Sequence, residues 1–361
     1  MRCSIADAIG GKAPRIESLD ILRGLMALSV AVYHLSIFTN LAAIGTRTNN
    51  LIAIFGNYGV EGFFIVSGFC FFYLYGETQW TLGELRRFHI KRFFRIAPLY
   101  YLAVALNLIL RQPVGPKATP RMLAENATLT FGLFHPNHAL VLGGWSIGIE
   151  YVFYLAFPLL AFLTRRKAVL VILTLAFVGL AWPWSFGGVQ AASFAGDQKF
   201  HTYVQIPNHA FLFLLGGLVA WVRSLTQLRL TWPWFLTGLL AIAVLALPRG
   251  PISYDHFDYM AGTARVKYVG LCWAVVALFA FYPVPDRPWR KPLTFLGDAS
   301  FSVYLLHPFA LLMIHTWLPV STPPLVAFVL GLAITLLLAG IVYRWVEKPA
   351  MGLGKRLAAK A

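Results

Sequence analysis

The first long apolar run carries ionisable side chains in a pattern that could do chemistry: Leu19-Asp20-Ile21-Leu22-Arg23-Gly24, then Tyr33-His34. A charged group inside a membrane span is costly and usually faces the bundle interior, so each is a candidate for function. On a helix turning about 100° per residue, Arg23 and His34 fall within about 20° of each other and Asp20 within about 60° of both. Ala27 and Ala31 complete the same stripe. At ~1.5 Å per residue, Arg23 and His34 stand roughly 16 Å apart, too far to touch and far enough to hold two ends of one elongated ligand. The imidazole of His34 titrates near neutrality, which suits a general base. Plainer readings compete. Asp20 and Arg23 could pair with each other and anchor the helix end, and His34 could be a structural histidine bonded to a neighbouring helix.

Three further groups bear on the same chemistry. A later apolar run opens Gly144-Trp145-Ser146-Ile147-Gly148-Ile149-Glu150. Glu150 is expected at roughly the depth of His34, where it would orient the base; the alternative is an interfacial carboxylate beside an aromatic belt. The stretch Arg86-Arg87-Phe88-His89-Ile90-Lys91-Arg92-Phe93-Phe94-Arg95 is strongly basic and is expected as a loop. Its guanidinium forks suit phosphate oxygens, although ordinary anchoring at a membrane face produces similar loops. Tyr304-Leu305-Leu306-His307-Pro308 places a histidine before a proline, and this one reads as a satisfied packing residue. At the end, Pro349 is expected to stop the last helix, with Arg344 and Glu347 paired at i,i+3.

The elements that must position these groups follow from composition. Of 361 residues, 58% are hydrophobic and only 12% charged, about half the charge of a soluble domain. Spans of roughly 17–25 apolar residues are expected at about 19–39, 52–75, 96–110, 147–163, 168–184, 207–222, 232–247, 264–283, 296–315 and 323–343. The fold class is therefore all-α, a polytopic bundle of about ten transmembrane helices. Its parts are a 1–18 N-terminal segment, a 19–347 membrane domain and a 348–361 tail. With both termini cytoplasmic, only Arg47, Arg111, Lys117, Arg121, Lys199, Arg249, Arg265 and Lys267 face outward, which leaves 22 of the 30 Lys and Arg inside. That asymmetry obeys the positive-inside rule. The net charge of +16 thus orients the chain and meets anionic membrane lipids; nucleic acid is not needed to explain it. No cleavable signal peptide is read at the start, because the first apolar run is too long and carries Asp20 and Arg23. Cys3, Cys70 and Cys272 match no ligand spacing, and no metal is expected. The segments 111–145 and 185–206 are the long loops, and His135-Pro136-Asn137-His138 could fold over an outer vestibule.

Taken together, these elements resemble the acyltransferase-3 family over about residues 15 to 350. The resemblance rests on the Arg15–His34 opening, Gly59–Gly68, Arg92-Phe-Phe-Arg95 with Pro98, Trp145-Ser146 to Glu150, Tyr304 to His307, and Arg344 to Pro349. It implies ten core helices and transfer of an acyl group, usually acetyl from acetyl-CoA or another acyl-CoA, to a hydroxyl of a sugar or a glycosylated or lipid-linked acceptor. It points to His34 as the catalytic histidine and to Arg23, Arg92, Arg95 and Glu150 as further functional residues. Asp20, Trp145, Ser146 and His307 would give substrate or structural support. Some family members append a periplasmic hydrolase-like domain; this chain ends at Ala361, and transfer completed within the membrane domain is expected. Such an enzyme would sit in the bacterial inner membrane. The competing reading is a transporter or flippase for an anionic or glycolipid substrate, which usually shows repeat symmetry not seen in this sequence; a non-catalytic scaffold gives no reason for one polar stripe.

Overall fold

In hydrocarbon, a backbone can satisfy its N–H and C=O groups only within a helix or a closed barrel, and here each apolar run becomes a helix. The computed structural model describes residues 15–42, 46–110, 118–189, 196–248, 253 and 255–361. Arg2, Cys3, Lys12, Arg111, Lys117 and Arg249, which enter the charge and cysteine reading above, lie outside the described residues. The helices are α1 (Glu17–Phe38), α2 (Arg47–Tyr75), α3 (Leu82–Ile109), α4 (Pro120–Thr128), α5 (Gly144–Leu163), α6 (Lys167–Trp182), α7 (Gly196–Tyr203), α8 (Ala210–Leu225), α9 (Trp232–Ala246), α10 (Gly262–Phe281), α11 (Arg290–Asp298), α12 (Ser300–Trp317), α13 (Pro324–Val342) and α14 (Lys348–Ala359). No strand occurs among the described residues.

Eight helical spans are long and apolar enough to cross a membrane, nine when α11 and α12, bent by 72°, count as one. The shorter α9, of 15 residues, occupies the seventh expected span. The all-α membrane bundle expected from sequence is the observed architecture. Lipid-facing sides are plain on α6 and α13, where Ile172, Leu175, Leu325, Val329 and Leu337 are exposed.

Two local expectations are corrected. The basic stretch 86–95 is not a loop but the first turns of α3. Thr81 caps that helix by accepting a hydrogen bond from Glu84 N at 3.2 Å, and Glu84 then pairs with Arg87; a capped start with an acid in the first turn favours helix well before the apolar part begins. Nor does Pro349 end the chain's last helix. A π-helical turn over Tyr343–Glu347 follows α13, and α14 begins anew with Pro349 in its first turn, where a missing N–H costs nothing. The tail is thus a helix seated on α3, with Gly354 against Phe94.

The core forms where helices approach without side chains between them. At the α2–α8 crossing, a Cβ on Gly68 would lie 1.9 Å from Phe213 O and one on Gly216 2.0 Å from Ile65 O. Small residues let spanning helices pack backbone to backbone, and here nothing larger fits. At one end of the bundle, residues 118–143 fold in over the helices. Asn126 holds this segment: its Oδ1 accepts from Tyr100 OH and Leu140 N, and its Nδ2 donates to the carbonyls of Met122 and His138. Asn107 Nδ2 donates to Leu140 O.

Candidate active site

The opening motif of α1 divides its labour. Asp20 is buried and is held by Arg15, which also reaches Asp298 on α11 at 2.7 Å. Asp20 therefore does not pair with Arg23. Gly24 packs against the backbone of Gly297: a Cβ there would meet Gly297 N at 2.8 Å. Asp20 and Gly24 fasten α1 to α11, which leaves Arg23 to face the interior. Arg23 joins no ion pair among the described residues.

Further along α1, His34 meets His307 of α12. The rings stack with centroids 4.9 Å apart, and His34 Nδ1 lies 3.0 Å from His307 Nε2. Their protons can be placed from their partners. His307 Nδ1 is 2.6 Å from Tyr304 O; a carbonyl can only accept, so Nδ1 carries the proton and Nε2 is the acceptor. His34 Nδ1 is then the donor, shared between His307 Nε2 and Val30 O at 3.1 Å. A neutral His34 is left with its lone pair on Nε2. His307 is fully buried and fixes both the orientation and the tautomer of His34. It packs, as expected, and it also touches the candidate base.

His34 lines a cavity of about 660 Å³, together with Tyr33, Asn57, Trp145, Tyr203 and His256. Glu150 lies elsewhere. It lines a second, small cavity of about 30 Å³ with Arg23, Phe63 and Ser146, room for about one water. Its Oε1 accepts from Ser67 Oγ at 3.0 Å and from Tyr154 OH. The expected match in depth with His34 does not hold: Glu150 sits at the level of Arg23. The cause is the segment 118–143, which dips into the bundle so that α5 starts at Gly144 already inside, and Glu150 falls ~9 Å further along at ~1.5 Å per residue. Val60 and Tyr304 line both cavities and form a shared wall. Trp145 forms a wall of the larger cavity, edge-on to Tyr203 and near His209. Ser146 Oγ is 2.8 Å from Tyr304 OH, and both hydroxyls reach Gly143 O, so Ser146 sets the position of the partition.

The two arginines of α3 differ. Arg95 is paired with buried Glu347, whose other oxygen accepts from Ser302 Oγ at 2.6 Å. Glu347 thus turns to Arg95, not to Arg344, which is exposed. Arg92 is buried within a cage of Phe71, Phe88 and Tyr154, its guanidinium 5.0 to 5.6 Å from their ring centres. Its Nε has no hydrogen-bond partner among the described residues, an orphaned donor of the kind a bound anion would satisfy.

Sequence reasoning passed over two groups. Glu61, inside the Gly59–Gly68 segment, pairs with Arg265 of α10 at 2.8 Å and accepts from Tyr203 OH at 3.0 Å. Both charges are buried. An ionisable residue within a span was the available signal. His256 bridges Tyr33 OH at 2.9 Å and Asn49 Oδ1 at 2.8 Å over the large cavity; it opens a short 3₁₀ turn between spans, and no spacing announced it.

A family model described as an acyltransferase domain matches residues 16–344. The peptidoglycan O-acetyltransferase OatA of Listeria monocytogenes is 25% identical over 369 residues, covering 92% of this chain and 55% of that protein. The O-acetyltransferase OatA of Staphylococcus aureus is 24% identical over 378 residues, covering 93% and 57%. The chain spans little more than half the length of these relatives. No solved structure matches.

Proposed function

The chain belongs to the acyltransferase-3 family, and from that membership we propose that it is a membrane O-acyltransferase working in the bacterial inner membrane with both termini cytoplasmic. It takes an acyl group, acetyl by analogy with its relatives, from cytoplasmic acyl-CoA and places it on a hydroxyl of a carbohydrate acceptor. The observation that carries the reading is a histidine whose Nε2 has no partner among the described residues, at the edge of a 660 Å³ cavity, with the guanidinium-bearing Arg23 lining a second, smaller cavity beside it.

In this reading the acceptor enters the large cavity, where Trp145 and Tyr203 offer aromatic faces to a sugar. His34 Nε2 takes the hydroxyl proton as the oxygen attacks the thioester carbonyl. When the tetrahedral intermediate collapses, the C–S bond breaks and the protonated His34 returns its proton to the leaving sulfur. The products are an O-ester and free CoA. His307 holds the imidazole in the tautomer the step requires. Arg23 and Arg92 are the donor-side cations, because among the described residues Arg23 is in no ion pair and Arg92 keeps an unpartnered N–H. Arg95 would meet a phosphate only by leaving Glu347. Glu150 positions the groups at the partition. Residues 19–347 form the catalytic part of such an enzyme, and 348–361 a helical tail.

Purified protein supplied with radiolabelled acetyl-CoA should hydrolyse it slowly and transfer label to carbohydrate, with peptidoglycan fragments the first acceptor to try. A folded protein that neither binds nor turns over any acyl-CoA would overturn the donor assignment. One that exchanges a carbohydrate lipid across vesicles without acylating it would overturn the enzyme assignment.

A further inference from the structure

One cluster of titratable side chains plays no part in the transfer. Glu125 on α4, His135 and His138 each present a ligand atom within 4.8 Å of the others. His135 Nδ1 is 3.0 Å from Glu125 Oε1, and His138 Nδ1 is 2.7 Å from Oε2. The backbone brings them together. Thr119 and Pro120 start α4 and so set the face that carries Glu125. Pro136–His138 is a 3₁₀ turn, in which side chains three apart eclipse, so His135 and His138 project together and their rings stack at 4.6 Å. The frame does not depend on the cluster itself, because Asn126 ties α4 to His138 O and Leu140 N by its own side chain.

The geometry points to a divalent transition-metal site here, and we propose that Glu125, His135 and His138 bind Zn²⁺. Two imidazoles and one carboxylate are a zinc donor set that leaves a coordination position open, whereas calcium and magnesium call for oxygen alone. In a tetrahedral site with bonds of about 2.0–2.2 Å, ligand atoms stand about 3.3–3.6 Å apart. The present separations bracket that range, so side-chain rotation suffices to admit the ion. The cluster is accessible, with side-chain exposures of 33% for His135 and 24% for His138. Arg121 is its competitor: Nε donates to Glu125 Oε1 at 2.8 Å and Nη2 lies 3.0 Å from His135 Nε2. At 65% exposure it can swing clear. The ion would clamp the 131–138 turn onto α4 and stiffen the segment that leads to Gly143 and Trp145.

The test uses the full chain, purified on a histidine-free tag, stripped with EDTA and titrated with Zn²⁺ by calorimetry and with Co²⁺ by visible absorption. One ion per chain is expected, with Co²⁺ giving the bands of four coordination. His138→Ala and Glu125→Gln should each weaken binding at least tenfold, and Arg121→Ala should tighten it several-fold. Zinc should raise the melting temperature of wild type but not of folded His138→Ala. Absence of stoichiometric binding by folded wild type, or equal binding by wild type and the His135→Ala/His138→Ala double variant, would show the cluster to be a hydrogen-bonded brace held by Arg121.

Discussion

The two ends of the polar interior are built on opposite plans. At the Arg95 end, charges are closed off: Arg15 with Asp20 and Asp298, and Arg95 with Glu347, which also accepts from Ser302. At the His34 end, two side chains that line the large cavity keep atoms in reserve: among the described residues, His34 leaves Nε2 open and Asn57 Nδ2 has no partner. A buried charge with one partner satisfied on all sides fastens helices; a nitrogen held in place by its neighbours and left open on one side can exchange a proton. The difference teaches where to look for chemistry in a bundle whose interior charges mostly serve to fasten helices. Arg92 and Arg23 are the exceptions at the charged end, because they lack the carboxylates that close off Arg15 and Arg95.

That comparison can be broken by substitution, and the largest effect belongs to His34. His34→Gln should insert and fold normally, keep near-normal CoA affinity and lose about 10²–10⁴-fold in acyl transfer, the usual cost of removing a general base. Substantial transfer by the folded variant would move the base to His307. Arg95→Ala comes next and should act on stability: a buried Glu347 left without its partner costs about 3–5 kcal/mol, read as a fall in melting temperature in detergent, and Glu347→Gln in the same chain should recover part of it. Should Arg95→Ala instead leave melting unchanged and abolish CoA binding, the contrast between the two ends fails. His307→Leu should cost about tenfold in turnover, the worth of one lost hydrogen bond near ~1.4 kcal/mol. His307→Gln can still accept from His34 Nδ1 and should restore most of it, with substrate KM unmoved in both. The smallest effect is expected for Arg92→Ala, about a tenfold loss of CoA affinity at low salt that shrinks for a donor mimic lacking the phosphates.

The membrane bundle was legible because hydropathy and span length are local properties; each of the ten expected apolar runs lies on a helix. The start of α3 was marked in the sequence by Thr81 and Glu84 at capping-box spacing, a signal overshadowed by the arginines that follow, so the stretch read as a loop. Partners across the fold were not legible. Nothing in the sequence joins Asp20 to Asp298 through Arg15, Arg95 to Glu347, or His34 to His307, since each pair is made by tertiary packing. The depth of Glu150 failed for a related reason: depth was counted from the apolar boundary, whereas the 118–143 segment moves the start of α5 into the bundle.

The partition of Val60 and Tyr304 between the two cavities has an electrical consequence. Voltage across an energised membrane falls mainly over its thinnest insulating layer, and one elementary charge crossing 100 mV gains or loses about 2.3 kcal/mol. In the proposed reaction the phosphates of the donor stay behind the partition and only an uncharged thioester carbonyl passes it. The enzyme should therefore run at the same rate in polarised and depolarised vesicles. A carrier moving an anion through the same gap would change its rate many-fold.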